Sequence, residues 1–321
     1  MKKLLFIFAA LFIISFSLIG CDGNTDKKST DNSGSSNKKE IVIGLMPDID
    51  SIPFLIAERN GYFLDEGLNV ELQQFKSAID RDAALQSGNI DGAVSDLLAV
   101  IFAKSGGFDV RVTSRTDGCY RLVAGKESSA RTVGEIAGNE VAVSRNTIIE
   151  YVTDMVLASI GMDGENINKV SVPQIPVRLE MLQNGKLEAA TLPEPMASVA
   201  INNGCHLIMG SDALGINPGV MVFTRKTIDE RKDELKKIYR AYDRAVKYLN
   251  ETSRSEYINF IVERSGFPHE STEALELPEY KKAGLPKEKD VSDVMKWLNK
   301  KQLVKENFEY NDIVADIPKN D

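Results

Sequence analysis

Seven polar residues follow predicted strands, at positions from which side chains can bind a small ligand. In open α/β sheets, ligands sit beyond the carboxyl ends of strands, where the helices that follow point free N–H groups outward. These residues are Asp50, Ser51, Ser77, Asp96, Asn146, Thr147 and Glu194. Donors at helix ends combined with acidic acceptors suit a small polar or zwitterionic molecule.

Each of these residues also has a purely structural interpretation. Ser51 and Thr147 are equally suited to capping the helices that follow them. Asp50 is equally suited to ordering its own turn. Asp96 and Glu194 are the stronger binding candidates, because they occupy nearly equivalent places after two related strands.

The chain lacks the patterns that catalysis and metal binding commonly require. No GxSxG, HExxH, P-loop or GxGxxG motif is present, and no residue is placed as a nucleophile. The three cysteines have no CxxC spacing and there are only two histidines, so a zinc site is not expected. We therefore predict no catalytic residue, no metal and no cofactor.

Composition and charge favour a soluble, two-domain protein. The chain has 321 residues, enough for two domains that each bury a core. Its net charge of -8 argues against a nucleic-acid partner, which would require a clustered basic face.

The stretch Arg81–Asp96 has a second copy at Arg178–Pro193, and each copy predicts a short helix, a glycine stop and a strand. The matches include Arg81 with Arg178, Leu85 with Leu182, and Gly88 with Gly185. Upstream, Ile41–Ile43 corresponds to Val141–Val143. Two copies are too few for a solenoid, so we expect two similar lobes with a ligand cleft between them. The alternative is that such units resemble one another in any α/β protein.

The pattern along the chain predicts where the two lobes begin and end. Tyr120–Ala124 is the strand that crosses to the second lobe, and Gly219–Thr224 crosses back. We assign residues 40–124 and 219–321 to lobe 1, and residues 125–218 to lobe 2.

The N-terminus carries targeting signals. Residues 1–20 combine two lysines with a short apolar run, which predicts a signal peptide. Leu18–Cys21 resembles a bacterial lipobox, which implies cleavage before Cys21 and a diacylglycerol thioether on its sulfur. Residues 21–39 then form a polar tether, so the protein is expected at the extracytoplasmic face of the cell membrane. The alternative is an ordinary signal peptide with an incidental cysteine.

Several segments, taken in order, resemble the solute-binding lipoproteins of ABC importers. The most similar branch covers nitrate, taurine, alkanesulfonates and thiamine-pyrimidine precursors, the SsuA/THI5-like or NMT1-like proteins. The segments are Asp50–Phe63, Gly67–Val70, Gln86–Ala93, Leu182–Ala189 and Leu192–Pro195.

This resemblance implies a type II periplasmic-binding-protein fold, with two α/β lobes joined by a two-segment hinge and a ligand cleft between them. It implies that the lobes close over a solute and deliver it to a membrane permease powered by a separate ATPase. By position, Asp50, Ser51, Ser77, Asn146, Thr147 and Glu194 match ligand-contact regions of the family. Asp96 is our own assignment from the internal repeat.

The identity of the solute stays open at the level of the sequence. Sulfonates, nitrate and pyrimidines are the classes that the resemblance implies. Three acidic residues near the site disfavour a simple anion, because buried like charges are costly. We expect an uncharged or zwitterionic heteroaromatic or amino-bearing solute, with Tyr120 or Tyr151 available for stacking.

Two other functions remain compatible with the sequence. A lipoprotein sensor would bind a solute and present it to a receptor. A cleft enzyme acting on a pyrimidine-like compound would need a nucleophile, a lysine that holds a cofactor or a histidine aimed into the cleft. Cys119 and Cys205 are expected to be two separate thiols, and Trp297 is expected to be a packing residue.

Overall fold

Residues 40–317 are described by the structure, which is a computed structural model of the chain. The predicted signal peptide (1–20), the predicted lipidation site Cys21 and the tether up to residue 39 lie outside this range. Within the described range, no helix has both the length and the apolar character needed to cross a membrane.

In residues 40–317, ten strands form two five-stranded sheets. The first sheet has the order β2-β1-β3-β10-β4 and contains β1 (Ile41–Leu45), β2 (Val70–Gln74), β3 (Gly92–Asp96), β4 (Val110–Arg115) and β10 (Gly219–Thr224). The second has the order β7-β6-β8-β5-β9 and contains β5 (Tyr120–Ala124), β6 (Glu140–Val143), β7 (Asn168–Ser171), β8 (Ala189–Pro193) and β9 (His206–Gly210). We call the first sheet with its flanking helices lobe 1, and the second sheet with its flanking helices lobe 2.

The two sheets share one topology. In each, the first three strands are parallel, and the next strand in the sheet, β10 or β5, is antiparallel. The helix stops of the repeat also agree, since Gly88 has φ 76° and Gly185 has φ 65°. Glycine tolerates this left-handed conformation because it has no Cβ. The duplication predicted from the sequence is therefore present in the fold.

Helices cover the faces of both sheets. They are α1 (Ile52–Arg59), α2 (Tyr62–Asp65), α3 (Ala78–Gln86), α4 (Leu97–Ser105), α5 (Ile148–Ala158), α6 (Ile175–Gln183), α7 (Met196–Asn202), α8 (Arg225–Glu251), α9 (Ile258–Ser265), α10 (Ser271–Ala274), α11 (Glu288–Lys300) and α12 (Tyr310–Ile313). Every residue of β3 and β8 is buried, as expected for strands covered on both faces. The long helix α8 buries its apolar side against α1, where the rings of Phe54 and Tyr242 lie 5.0 Å apart.

Two connections link the sheets, residues 116–119 and residues 211–218. At each end, a residue of one connection is hydrogen-bonded to the strand that adjoins the other connection. The Thr116 N–H donates to the Gly219 carbonyl at 3.1 Å, and the Ser211 N–H donates to the Tyr120 carbonyl at 2.8 Å. Together they form the two-segment hinge of the molecule.

The strand β5 belongs to the second sheet, where Leu122 pairs with Thr191 of β8 and Met209 of β9. The boundary expected after residue 124 left this strand in lobe 1. Because hydrogen bonds within a sheet hold its strands together, we propose that the lobes divide at 116–119 and 211–218 instead.

The C-terminal helices contact both lobes. Helix α9 packs on α1 and α11 packs on α4, both in lobe 1, whereas α10 packs on α7 in lobe 2. Trp297 of α11 is buried edge-on against Tyr151 at 5.7 Å and donates its indole N–H to Asp154 at 3.0 Å. Trp297 is thus the packing residue that the sequence predicted.

Candidate functional site

A cavity that is partly open to solvent lies between the two lobes at the carboxyl ends of their parallel strands, and its empty space together with the adjoining solvent amounts to about 440 Å³. Its polar lining residues in lobe 1 are Asp48, Arg81, Ser95 and Asp96. In lobe 2 they are Tyr120, Ser144, Thr147 and Arg178. Because both lobes supply polar groups, a molecule bound here would contact the two lobes at once.

Two main-chain hydrogen bonds join the lobes across this cleft. The Ile49 N–H in lobe 1 donates to the Glu194 carbonyl in lobe 2 at 3.1 Å. The Ile175 N–H in lobe 2 donates to the Lys76 carbonyl in lobe 1, also at 3.1 Å. The structure therefore represents a conformation in which the lobes touch.

Asp96 and Thr147 are the two predicted residues that line the cavity. Both are also helix N-caps: Asp96 accepts from the Ala99 N–H at 2.9 Å, and Thr147 accepts from the Ile149 N–H at 3.2 Å. Burial raises the pKa of Asp96, although the nearby Arg81 acts in the opposite direction. One residue can therefore cap a helix and also line the cavity, because these helices begin at the strand ends that border the cavity.

Asp50 lies in the hinge and not on the cavity wall. The Tyr120 hydroxyl donates to Asp50 Oδ2 at 3.2 Å. A Cβ atom on Gly118 would lie 2.1 Å from Oδ2, and one on Gly219 would lie 2.8 Å from Oδ1, so the carboxyl group packs against one hinge segment and against the start of β10, where the other segment ends. Burial raises the pKa of Asp50 to about 6.

The hydroxyl groups of Ser51 and Ser77 form hydrogen bonds within their own turns. The Ser51 hydroxyl accepts from the Met46 N–H at 3.1 Å and donates to Asp48 at 3.1 Å. Ser77 caps α3 by accepting from the Asp80 N–H at 3.2 Å, and it donates to the Asp80 carboxylate at 2.7 Å. Both hydroxyls have protein partners, so each orders the loop that carries other lining residues.

Asn146 and Glu194 also stand beside the cavity rather than on its wall. Asn146 adopts φ 58°, and its N–H donates to Glu150 at 2.7 Å. The Glu194 carboxylate lies 2.6 Å from Arg121 Nε and accepts from the Ser198 N–H at 3.1 Å. Asp96 and Glu194 do occupy nearly equivalent places at the ends of the related strands β3 and β8, but only Asp96 lines the cavity.

Two arginines, Arg81 and Arg178, line the cavity, and in the sequence they stand out only as matching positions of the internal repeat. Arg81 donates to Asp82 at 2.9 Å and to the Val94 carbonyl at 3.3 Å, and its Nη2 lies 3.8 Å from Asp96. Arg178 is fully buried and donates only to main-chain carbonyls, those of Thr191 and Val172 among them. Because Arg81 and Arg178 occupy matching positions in the repeat, the sequence could have identified them as one lining residue from each lobe.

Arg178 has no acidic partner among residues 40–317, and its Nη2 has no hydrogen-bond partner there. Burial lowers the pKa of Arg178 to about 9, which leaves the guanidinium charged at neutral pH. On the same wall, Ser144 Oγ also lacks a partner within the described chain. This side of the cavity therefore offers hydrogen-bond capacity that the protein itself does not use.

Asp48 completes the polar lining on the opposite wall, where its Oδ1 accepts from the Ser51 hydroxyl. Burial and the neighbouring Asp50 raise the pKa of Asp48 well above its ordinary value. Of the two tyrosines expected to stack on a ligand, Tyr120 lines the cavity, whereas Tyr151 packs against Trp297.

Comparison with known proteins identifies the family. The sequence profile of the NMT1-like family matches residues 34–262, well over half of the chain. The chain belongs to the NMT1-like family. No curated protein sequence matches it significantly.

Solved structures share the fold of this NMT1-like protein. The ligand-binding component of an ABC-type import system from Staphylococcus aureus, with zinc bound, gives a TM-score of 0.75 at 14% identity, over 88% of this chain and 98% of that one. The alkanesulfonate-binding protein SsuA from Xanthomonas axonopodis pv. citri, bound to MOPS, gives 0.75 at 16% identity, over 86% and 98%. The desulfurization enzyme DSZB gives 0.60 at 12% identity, over 87% and 97%.

The NMT1-like protein thus has the type II periplasmic-binding-protein fold expected from its sequence. Since this fold carries both binding proteins and an enzyme, function has to be argued from the site. No group of three or more His, Cys, Asp or Glu side chains in the described range is arranged to hold a metal ion. Cys119 and Cys205 are free thiols.

Proposed function

We propose that this protein is the extracytoplasmic solute-binding lipoprotein of an ABC importer. It captures a small polar solute between its lobes and delivers it to a membrane permease powered by a separate ATPase. The observation that carries this proposal is the cavity between the lobes, to which both contribute buried charged side chains, Arg81 from one and Arg178 from the other. A solute that binds both walls favours the conformation in which the lobes touch.

Within this site we propose that Asp96 and Thr147 contact the solute. Asp50, Ser51, Ser77, Asn146 and Glu194 then shape the hinge and the turns that hold the lining residues. This division follows from their partners, because the latter five have side-chain or main-chain hydrogen bonds away from the cavity.

A direct test is to identify the solute and measure closure. Native mass spectrometry of the purified protein would detect a copurified solute. A solute added at about 100 times its dissociation constant should stabilise the fold by about 2.7 kcal/mol. Small-angle scattering should then show a decrease in the radius of gyration. If the radius stays constant on saturation, lobe closure is not the mechanism.

The membrane anchor is proposed from residues 18–21 and has its own test. The wild type should partition with the membrane fraction and incorporate labelled fatty acid. Cys21→Ala should do neither, while the soluble form should retain solute affinity because residues 40–317 contain the cavity. Unchanged membrane association of the variant would remove the lipoprotein assignment.

The structural similarity to DSZB supports a cleft enzyme as the second candidate. It would have to use a group already in the cavity, and the described lining offers carboxyl, guanidinium and hydroxyl groups but no thiol or imidazole. Turnover of a bound compound, followed by mass spectrometry over many hours, would favour this alternative. An unchanged solute together with uptake into cells would favour import, and an unchanged solute without uptake would favour a sensor.

A further inference from the structure

Charge in the cleft cavity is divided between its two walls. The wall of lobe 2 holds Arg178 with no acidic partner in the described chain. The wall of lobe 1 holds Asp48 and Asp96, with Arg81 between carboxylates. A ligand that complements both walls must therefore carry charges of both signs.

The wall of lobe 2 is built for an anion. Arg178 is fully buried, and its Nε and Nη1 are held by main-chain carbonyls, which leaves Nη2 without a partner. A buried guanidinium without a counter-charge is costly, and it binds carboxylate, sulfonate or phosphate oxygens in a planar geometry. Ser144 is 3% exposed and lines the same cavity, and its Oγ lacks a hydrogen-bond partner in the described residues.

The position of helix α5 adds to this preference. Its first residues, Ile148 and Ile149, line the cavity next to Ser144. The N-terminus of a helix carries a partial positive charge, which favours an anion. The helix end and Arg178 thus act in the same direction.

The wall of lobe 1 has more acid than base. Arg81 lies 2.8 Å from Asp82, which is outside the cavity, and farther, at 3.8 Å, from Asp96. Its closer ion pair is therefore with a carboxylate that does not line the cavity. No lysine or arginine of the described chain lies within ion-pair distance of Asp48, whose partner is the Ser51 hydroxyl. Two buried carboxyl groups therefore share one arginine, and a cationic group placed between them would be stabilised.

Building on the proposed function, we propose that the solute is a small zwitterion with a fixed orientation. Its anionic group binds Arg178 and Ser144 in lobe 2, and its amino or other cationic group binds Asp48 and Asp96 in lobe 1. A simple anion such as nitrate would leave the acids of lobe 1 uncompensated. An uncharged pyrimidine would leave Arg178 without a counter-charge.

The first experiment is calorimetric titration of the purified wild-type protein with matched probes. The zwitterions are 2-aminoethanesulfonate, 3-aminopropanoate and 4-aminobutanoate; the anions are ethanesulfonate, propanoate and butanoate; the cations are ethylamine, propylamine and butylamine. We expect at least one zwitterion to bind ten times more tightly than its anion and its amine. The inference is wrong if an anion binds as tightly as its zwitterion, if an amine binds best, or if no probe binds.

Variants test the orientation. Ser144→Ala should weaken the best zwitterion about tenfold without loss of stability, because Ser144 Oγ has no partner to lose. Asp48→Asn and Asp96→Asn should weaken the zwitterion at least tenfold while weakening the matched anion less than threefold. Asparagine can still accept the Ala99 N–H bond that caps α4, so the fold should be preserved.

Asp163→Asn is the matched control, because Asp163 also caps a helical turn, accepting from the Glu165 N–H at 2.9 Å, but lies on the surface away from the cavity. It should bind every probe as the wild type does. Equal weakening of zwitterion and anion in Asp48→Asn and Asp96→Asn would overturn the orientation. A copurified solute of another charge class would overturn the inference while the solute-binding function stands, and the absence of any bound solute or closure would count against both.

Discussion

At the scale of single residues, one buried acid, Asp50, packs against the hinge. Asp50 packs against Gly118 of one connecting segment and against Gly219, the first residue of β10 after the other segment, and accepts from the Tyr120 hydroxyl. Its carboxyl group is therefore enclosed by the backbone that must bend when the lobes move apart. Burial disfavours the charged form of this carboxyl group and raises its pKa to about 6, while the hydrogen bond from Tyr120 acts in the opposite direction.

The stability of the protein should consequently depend on the ionisation of Asp50. Its pKa is about 6 in the folded protein, above the ordinary value of 3.8, so the folded state retains a proton that the unfolded state has lost. The free energy of unfolding should then fall as pH rises from about 4 to 6, by on the order of 3 kcal/mol from this group.

Urea unfolding of the wild type and of Asp50→Asn at pH 4.5, 5.5 and 7 measures this effect. The variant should show a smaller decrease over this interval, because the amide does not titrate. Asp48 and Asp96 also have raised pKa values, so part of the decrease in the free energy of unfolding with pH should remain in the variant. Parallel curves for the two proteins would exclude Asp50 as a source of the pH dependence.

At the scale of elements, the repeated helix–glycine–strand unit depends on one backbone conformation. Gly88 and Gly185 end α3 and α6 with positive φ, where a Cβ would be strained even though nothing lies within 4 Å of it. Each glycine ends the helix that carries Arg81 or Arg178. The same local device therefore positions an arginine on each wall of the cavity.

Gly88→Ala and Gly185→Ala should each lower the free energy of unfolding by about 1 kcal/mol, through backbone strain alone. Gly134→Ala is the control, because Gly134 has no positive φ and its Cβ would meet only Ile160 at 3.9 Å. Thermal unfolding of the three variants separates the effect of backbone strain at positive φ from the general effect of replacing a glycine with alanine. A control as unstable as the other two would contradict this explanation.

Helix α5 is tied to the end of α11 by a buried ion cluster. Glu150 accepts from Lys169 at 2.9 Å and from Lys301 at 2.7 Å. Hydrogen bonds to these lysines and to the Asn146 N–H lower the pKa of Glu150 to about 2, against the effect of burial. Its stabilising contribution is therefore present above about pH 4.5 and is lost as pH falls towards 2.

Glu150→Gln should destabilise the protein by about 3 kcal/mol at pH 7, because it leaves buried lysines with fewer acidic partners. Asp229→Asn removes one partner of an exposed i,i+4 pair with Arg225 and should change stability by less than about 0.5 kcal/mol. Denaturant titration measures both. If the two substitutions have equal effects, the cluster is not a structural tie.

At the scale of the whole molecule, the lobes are held together by main-chain bonds at the rim of the cleft and by the C-terminal helices that pack on both lobes. The hydrogen bond from the Ile175 N–H to the Lys76 carbonyl joins the first turn of α6 to the loop before α3. Ile175 is the first residue of its helix, a position that tolerates proline. The contact can therefore be removed without breaking the helix.

Ile175→Pro should open the lobes and weaken solute binding about fivefold relative to Ile175→Ala, which loses a similar side chain but keeps the N–H. The reason is that the affinity of a closed-form ligand falls with the fraction of closed protein. Calorimetry with the copurified solute, together with small-angle scattering, measures affinity and shape. Equal affinities in the two variants would show that this bond does not contribute to closure.

The sequence alone determined the order of strands and helices along the chain and the duplication of the fold, because periodicity, glycine stops and an internal repeat are written in the chain itself. The tertiary structure decided the order of strands in each sheet and placed β5 in the second one. The internal repeat identified Asp96, and its place after a predicted strand identified Thr147; both line the cavity. The tertiary structure decided which polar residues are already bound by neighbours distant in the chain. Arg121 neutralises Glu194, Tyr120 binds Asp50, and Arg178 is left without an acid in the described chain. Such pairings depend on the packing of segments about 70 residues apart, as for Asp50 and Tyr120, so no local pattern reveals them.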